Sequence, residues 1–166
     1  DPSLLRDLAR ALPDARVVVI SEGPGAEWLA GLALANLRVL PFQPFARLGE
    51  TLAAADVLVA VLEADAGVFS VPSKVLTYLC VGRPILAAIP PVNLAARLIG
   101  REGAGVAVSP ADRAGFAAAA KSLAENPDLR AAQGAKALDY ARRTFDIAAV
   151  ATRFEAILEG AVRSRP

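Results

Sequence analysis

The sequence has 166 residues, of which 55% are hydrophobic, and a formal net charge of +1. This composition excludes a disordered chain, and the length is that of one ordinary domain, residues 1–166. The near-neutral charge gives no general attraction to nucleic acid or to an anionic membrane. The chain has no histidine and one cysteine, Cys80, which excludes a serine–histidine triad and argues against a zinc site.

A lone cysteine cannot form a disulfide within the chain, which fits a reducing compartment such as the cytoplasm. We expect Cys80 to be a small buried residue. No apolar run reaches transmembrane length, and no signal peptide is recognisable. Because the sequence opens at Asp1 without a methionine, we expect a fragment of a longer chain.

Short aliphatic runs alternate with amphipathic segments along the chain. Ser3 is the predicted N-cap of a first helix. Strands are predicted at 17–20, 37–40, 57–62, 85–89 and 106–108, with helical segments between them. Helices beginning near Asp112, Leu129 and Phe145 follow. The apolar face of the last one is formed by Val150, Phe154, Ile157 and Leu158, and we expect it to be buried in the core.

The stretch 67–84 lies between two predicted buried strands and contains a turn-rich loop followed by a helix. Pro72 is predicted at the first helical position, where its missing N–H costs nothing. An apolar stripe of Val75, Leu76, Leu79 and Cys80 would face the sheet. Lys74 lies in the first turn, near amides that favour an anion. A phosphate-facing helix start is one interpretation, and an ordinary solvated lysine is the other.

This alternation predicts an α/β fold with a parallel sheet covered by helices on both faces. In such sheets ligands bind beyond the carboxyl ends of the strands. The loops 21–25, 41–45, 63–71 and 90–93 are expected to meet there.

Five motifs in this order resemble the carboxyl-terminal half of a retaining glycosyltransferase of family 4, which has the Rossmann-like GT-B fold. They are V-I-S-E-G-P at 19–24, V-L-P-F at 39–42, L-A-A-A-D-V at 52–57, V-P-S-K at 71–74 and G-R-P-I-L-A at 82–87. The last two look most like transferases that build bacterial surface polysaccharides. The similarity covers nearly the whole chain.

The resemblance implies that this half binds a nucleotide-diphosphosugar donor without a metal or other cofactor, and that the full-length enzyme transfers the sugar to a glycan or lipid-linked acceptor. It implies a cytoplasmic enzyme, possible peripheral contact with the inner face of the membrane, and no direct insertion by this half. No catalytic residue is assigned. The implied donor-binding residues are Gly23, Pro41, Phe42, Ser70, Val71, Ser73, Lys74 and Thr77.

The sequence departs from the family pattern in two ways. Relatives carry two glutamates eight residues apart, one for the donor sugar and one for the ribose, but these positions fall on Phe69 and Thr77. The family's half also begins with a strand and a glycine-rich loop that do not precede the Ser3 helix here. With that strand and the amino-terminal acceptor half missing, this chain alone is expected to be inactive.

Besides the glycosyltransferase, one other enzyme interpretation and two binding interpretations remain. A sugar-nucleotide 2-epimerase of the same fold is disfavoured because that chemistry usually uses histidine. A degenerate, non-catalytic binding module is compatible with the loss of both glutamates. A receiver-like module is disfavoured because Asp56 precedes its strand instead of following it.

The expected strand order places a first strand between the strands 17–20 and 57–62. Without this first strand, the facing edges of strands 17–20 and 57–62 would each carry backbone N–H and C=O groups that lack hydrogen-bond partners. Direct pairing of these two strands would contradict this prediction.

Overall fold

The computed structural model describes residues 2–63 and 72–163. The described elements alternate between helix and strand up to the fifth strand, and helices follow. They are α1 (Ser3–Ala11), β1 (Val17–Ile20), α2 (Pro24–Gly31), β2 (Leu37–Leu40), a 3₁₀ turn (Phe45–Arg47), α3 (Leu48–Ala53), β3 (Leu58–Val61), α4 (Ser73–Leu79), β4 (Ile85–Ala88), α5 (Leu94–Glu102), β5 (Gly105–Val108), α6 (Arg113–Glu125), α7 (Pro127–Thr144) and α8 (Ile147–Arg163).

The helix starts follow from capping residues in the sequence. The side chains of Asn93, Asp112 and Asn126 accept hydrogen bonds from backbone N–H groups in the first turns of α5, α6 and α7. Each oxygen replaces a partner that the first turn of a helix lacks. Asn126 also separates α6 from α7, because Pro127 can begin a helix but cannot continue one.

All observed strand pairs are parallel, and the described strands form two separate sheets. One contains β1 and β2, and the other has the order β3-β4-β5. The register pairs Val17 with Leu37 in the first sheet and Leu58 with Ile85 in the second. Within the described residues β1 does not pair with β3, as expected if a strand between them is missing. The fold is Rossmann-like, and among the described strands the sheet is divided between β1 and β3.

The core has layers on both faces of the three-stranded sheet. Ile85 and Ala87 of β4 pack on one face with residues of α4, α5 and α7. Leu86 and Ala88 pack on the opposite face with α1 and α6. The two-stranded sheet has a smaller cluster on one face, formed with α1 and α2.

Four local predictions are wrong. α1 has Pro2 at its N-cap position, and Ser3 instead accepts a hydrogen bond from Arg113. Pro72 is the N-cap of α4, not its first residue. Cys80 is exposed: it follows Leu79, the last residue of α4, and its thiol donates a hydrogen bond to the Leu76 carbonyl.

The fourth wrong prediction concerns α8. This helix forms, but its apolar side chains are exposed instead of buried. Phe154, for example, keeps 63% of its surface accessible. Periodicity placed these residues on one face of the helix but carried no information about what would cover that face.

Candidate functional site

The loops that follow β1 and β2 lie at the carboxyl edge of the two-stranded sheet and contact each other. The Glu22 carboxylate accepts a hydrogen bond from the N–H of Phe42 at 3.2 Å. The N–H of Ser21 bonds to the carbonyl of Leu40 at 3.1 Å. These bonds hold three predicted site residues, Gly23, Pro41 and Phe42, in one loop cluster.

The backbone conformation at position 23 favours glycine. Its φ is +89°, a region that side chains rarely allow, and it forms the N-cap of α2. Pro24 follows at the first helical position. A bend of this kind lets the chain leave β1 and enter α2 with the backbone close to the sheet edge.

Aromatic side chains are exposed beside this loop cluster. Phe42 projects into solvent, and Phe45 keeps 88% of its surface accessible. Exposed aromatic rings at the edge of a parallel sheet provide flat apolar surface on which a planar ligand can stack. Phe45 belongs to the loop 41–45 that was expected to lie under the base, but it was not one of the individually named donor-binding residues.

Helix α4 carries three other predicted residues. Ser73 and Lys74 form its first turn and are exposed. Among residues 2–63 and 72–163, Lys74 forms no ion pair. Thr77, one turn further along the helix, donates its hydroxyl hydrogen to the Ser73 carbonyl at 3.3 Å. The Thr77 oxygen retains acceptor capacity, but the hydroxyl is turned back along its own helix.

A groove of about 380 Å³ runs between α3 and α4. This volume lies within the range of small-molecule sites. Of the predicted site residues only Thr77 lines it. The groove walls are otherwise mostly apolar and consist of Leu48, Gly49, Leu52, Ala53, Cys80 and Val81. Sequence pattern could not identify this groove, because two helices distant in the chain form it.

The predicted site is only partly assembled among the described residues. Ser70, Val71 and Phe69, the position of the first family glutamate, lie outside them. Gly23, Pro41 and Phe42 form one group, and Ser73, Lys74 and Thr77 form another. No hydrogen bond between described residues joins the two groups.

Lys74 is the charged residue of α4, whose sequence is SKVLTYL. Tyr78 is half-buried on the same helix, and burial raises the pKa of its hydroxyl, so it stays neutral near pH 7. In the described ranges no cluster of three histidine, cysteine or acidic side chains is placed to hold a metal ion. In the same ranges no helix is both long and apolar enough to cross a membrane.

Comparison with known proteins identifies the family. The model of the family described as "Glycosyl transferases group 1" matches residues 3–126, well over half of the chain. A comparison with curated proteins found no match. The match runs from α1 through α6 and includes the loop cluster of Gly23, Pro41 and Phe42 as well as α4. The chain therefore belongs to the group 1 glycosyltransferases, and its Rossmann-like domain is of the GT-B type.

Proposed function

We propose that this chain is the donor-binding half of a family 4-like retaining glycosyltransferase that uses a nucleotide-diphosphosugar. The observation that carries the proposal is the exposed Lys74, which lies in the first turn of α4 within the matched region and forms no ion pair among the described residues. Because no carboxylate among the described residues pairs with Lys74, its ammonium group is available to a diphosphate. Charge-assisted hydrogen bonds to such an anion are stronger than neutral ones.

The remaining donor contacts are proposed from the same geometry. The exposed rings of Phe42 and Phe45 offer stacking surface for the base, and the groove beside Thr77 offers a place for the ribose. The diphosphate would lie between Gly23 and Lys74. This chain would work together with an amino-terminal half that binds a glycan or lipid-linked acceptor, and it needs no metal of its own.

A degenerate binding module is the second candidate, and one contact favours it. Where relatives place a ribose-binding glutamate, Thr77 bonds to its own helix through the Ser73 carbonyl. A threonine hydroxyl cannot replace the two oxygens that a carboxylate offers to a ribose diol. Such a module would bind a nucleotide weakly and transfer no sugar.

The test is a calorimetric titration of the full-length enzyme with UDP, GDP and ADP. For the nucleotide that binds, Lys74→Ala should weaken the affinity by about 10- to 150-fold, corresponding to roughly 1.5–3 kcal/mol for a hydrogen bond to a charged group. Lys121→Ala is the matched control, because Lys121 pairs with Glu125 on the surface of α6.

The results of this titration distinguish the donor-binding half from the degenerate binding module. Unchanged affinity in Lys74→Ala would remove Lys74 from the site. Failure of all three nucleotides to bind would contradict a donor-binding role. Binding without any sugar transfer in the full-length enzyme would favour the degenerate module.

A further inference from the structure

The turn that follows β4 exposes two large aliphatic side chains. Val92 and Leu94, on either side of Asn93, keep 58% and 54% of their surface accessible. Ile89, just before the turn, is fully buried, so the chain leaves the core between Ile89 and Val92. The turn lies at the carboxyl edge of the three-stranded sheet, where parallel sheets bind their ligands. We call residues 90–94 the β4 turn.

Most hydrogen-bonding groups of the β4 turn are used inside the turn. Asn93, its one polar side chain, is fully buried and accepts a hydrogen bond from the N–H of Ala95 at 2.8 Å. The N–H of Asn93 bonds to the Pro90 carbonyl at 2.9 Å. Pro90 and Pro91 have no N–H to donate. In residues 90–93 only Val92 thus keeps a backbone donor without a partner among the described residues, and the turn presents a mainly aliphatic surface.

The β4 turn lies next to the end of β3, the strand that precedes α4. The N–H of Leu62, just after β3, bonds to the Ala88 carbonyl of β4 at 2.9 Å. The two strand ends are therefore one strand spacing apart, about 4.8 Å. On the other side, the N–H of Ile89 bonds to the Val108 carbonyl of β5 at 3.0 Å. The turn thus belongs to the middle strand of this sheet.

A nucleotide-diphosphosugar carries its base and its sugar at opposite ends of the diphosphate. The proposed function places the base beside Phe42 and Phe45, in the loop after β2, and the diphosphate near Lys74 in the first turn of α4. The sugar would extend from Lys74 away from the base. β4 is the neighbour of β3 within the sheet, so the β4 turn is the described loop that the sugar would meet there.

We propose that the β4 turn forms part of the sugar subsite, and that the transferred sugar carries a methyl group in contact with Val92 and Leu94. This methyl group belongs either to an N-acetyl substituent or to a 6-deoxy carbon. A hydroxyl group placed against these two side chains would lose water without gaining a hydrogen bond, whereas burial of a methyl group is favourable. The inference names the substrate class of the proposed donor site and rests on that proposed function.

The test is a calorimetric titration of the full-length enzyme with three donors that share one nucleotide. They are UDP-glucose, UDP-N-acetylglucosamine and UDP-6-deoxyglucose, or the corresponding GDP or ADP sugars if one of those free nucleotides binds instead. At least one methyl-bearing donor should have a Kd about 4-fold or more below that of the glucose donor, the factor that corresponds to burial of one CH₂ group. The tighter of the two identifies the source of the methyl group.

Two variants assign this preference to the β4 turn. Val92→Thr replaces one methyl group by a hydroxyl group of nearly the same shape at an exposed position, and Leu94→Gln makes the second contact polar. Each should bring the Kd ratio of the two donors closer to one without changing the affinity for the free nucleotide. Val18→Thr is the matched control, because Val18 is a valine of β1 that is 48% exposed. It should keep the wild-type ratio.

Three results would overturn the proposal. Equal affinities for all three donors, with the free nucleotide bound, would remove the methyl preference and leave the donor-binding role intact. A preference that persists unchanged in both Val92→Thr and Leu94→Gln would show that another part of the protein reads the sugar. Failure of every free nucleotide to bind would overturn the proposed function together with this inference.

Discussion

The three-stranded and the two-stranded sheets differ in how much of their surface is covered. Every residue of β4 is buried, because β4 has a strand on each side and helices on both faces. β1 and β2 are covered on one face only, and Val18 on the other face keeps 48% of its surface accessible. Sheet position therefore decides burial here more than composition does, since β1 and β4 are both entirely aliphatic.

This difference implies that the three-stranded half supplies most of the stability. The two-stranded half depends on α1, which packs against both sheets. The four predictions below test this division, beginning with the largest expected effect.

The same substitution in the two sheets should have very different costs. Leu86→Ala in β4 removes a side chain that is 1% exposed and should lower the free energy of unfolding by about 2–5 kcal/mol. Leu40→Ala in β2 removes one that is 42% exposed and should cost under about 0.5 kcal/mol, like other surface changes. Urea unfolding of both variants measures the difference. Similar costs would mean that the two sheets are equally packed.

Close backbone packing provides a second comparison. A Cβ added at Gly134 of α7 would lie 2.3 Å from the Gly82 carbonyl oxygen, whereas one added at Gly31 of α2 meets nothing within 4 Å. Gly134→Ala should therefore cost about 1–3 kcal/mol by overpacking. Gly31→Ala should be neutral or stabilise by up to about 1 kcal/mol. Thermal unfolding of the two variants measures this difference in stability. A Gly134→Ala variant as stable as the wild type would show that α7 can move away from Gly82 without cost.

The sequence predicted β1 and β2 with their observed limits. Each is a short and mainly aliphatic segment, VVVI in β1 and LRVL in β2, bounded by polar residues or proline, so local pattern and observed strand coincide. The caps at Asn93 and Asp112 were also recognisable, because a capping oxygen acts within three residues. The exposure of Cys80 could not be predicted, since the apolar spacing continued one residue beyond the end of the helix.

The candidate site was less predictable than the fold. Gly23 and Lys74 could be named from motifs and positions at strand ends. The bond between Glu22 and Phe42, and the groove between α3 and α4, depend on contacts across 20 or more residues of sequence. No local pattern carries that information.

Asn36 connects α1 to the start of β2. Its amide group donates hydrogen bonds to the carbonyls of Ala9, Leu12 and Ala15, at 2.8–3.0 Å. Asn36→Asp replaces the donor by an acceptor of the same shape, so the three carbonyls face an oxygen. We expect a loss of about 1–3 kcal/mol, the usual cost of unpaired polar groups that are partly buried.

The matched control for Asn36→Asp is Gln43→Glu. The Gln43 amide bonds only locally, to the Pro41 carbonyl in an exposed loop. Loss of this local hydrogen bond should hardly change the urea concentration at the midpoint of unfolding. Equal midpoints for the two variants would mean that α1 does not need Asn36 to hold the two-stranded half.

The smallest expected effect concerns Asp7, which links α1 to α6. Burial alone would raise the pKa of its carboxyl group, but hydrogen bonds from Arg6 and Arg113 outweigh burial and lower the pKa. A carboxylate whose pKa is lower in the folded chain than its ordinary value of about 3.9 stabilises the fold above that value. The stabilisation is lost as the pH falls through the lower, folded pKa.

Asp7→Asn should therefore reduce stability at pH 7 by less than about 1 kcal/mol, because the carboxylate is partly exposed and screened by solvent. The difference between wild type and variant should shrink as the pH falls below about 4, where the unfolded wild-type carboxylate binds a proton, and it should disappear below the lower pKa of the folded carboxyl. Urea unfolding at pH 7 and at pH 3 measures both values, and added salt should reduce the difference at pH 7. A difference that is the same at both pH values would show that Asp7 holds α1 by packing, and that its charge does not connect the two halves.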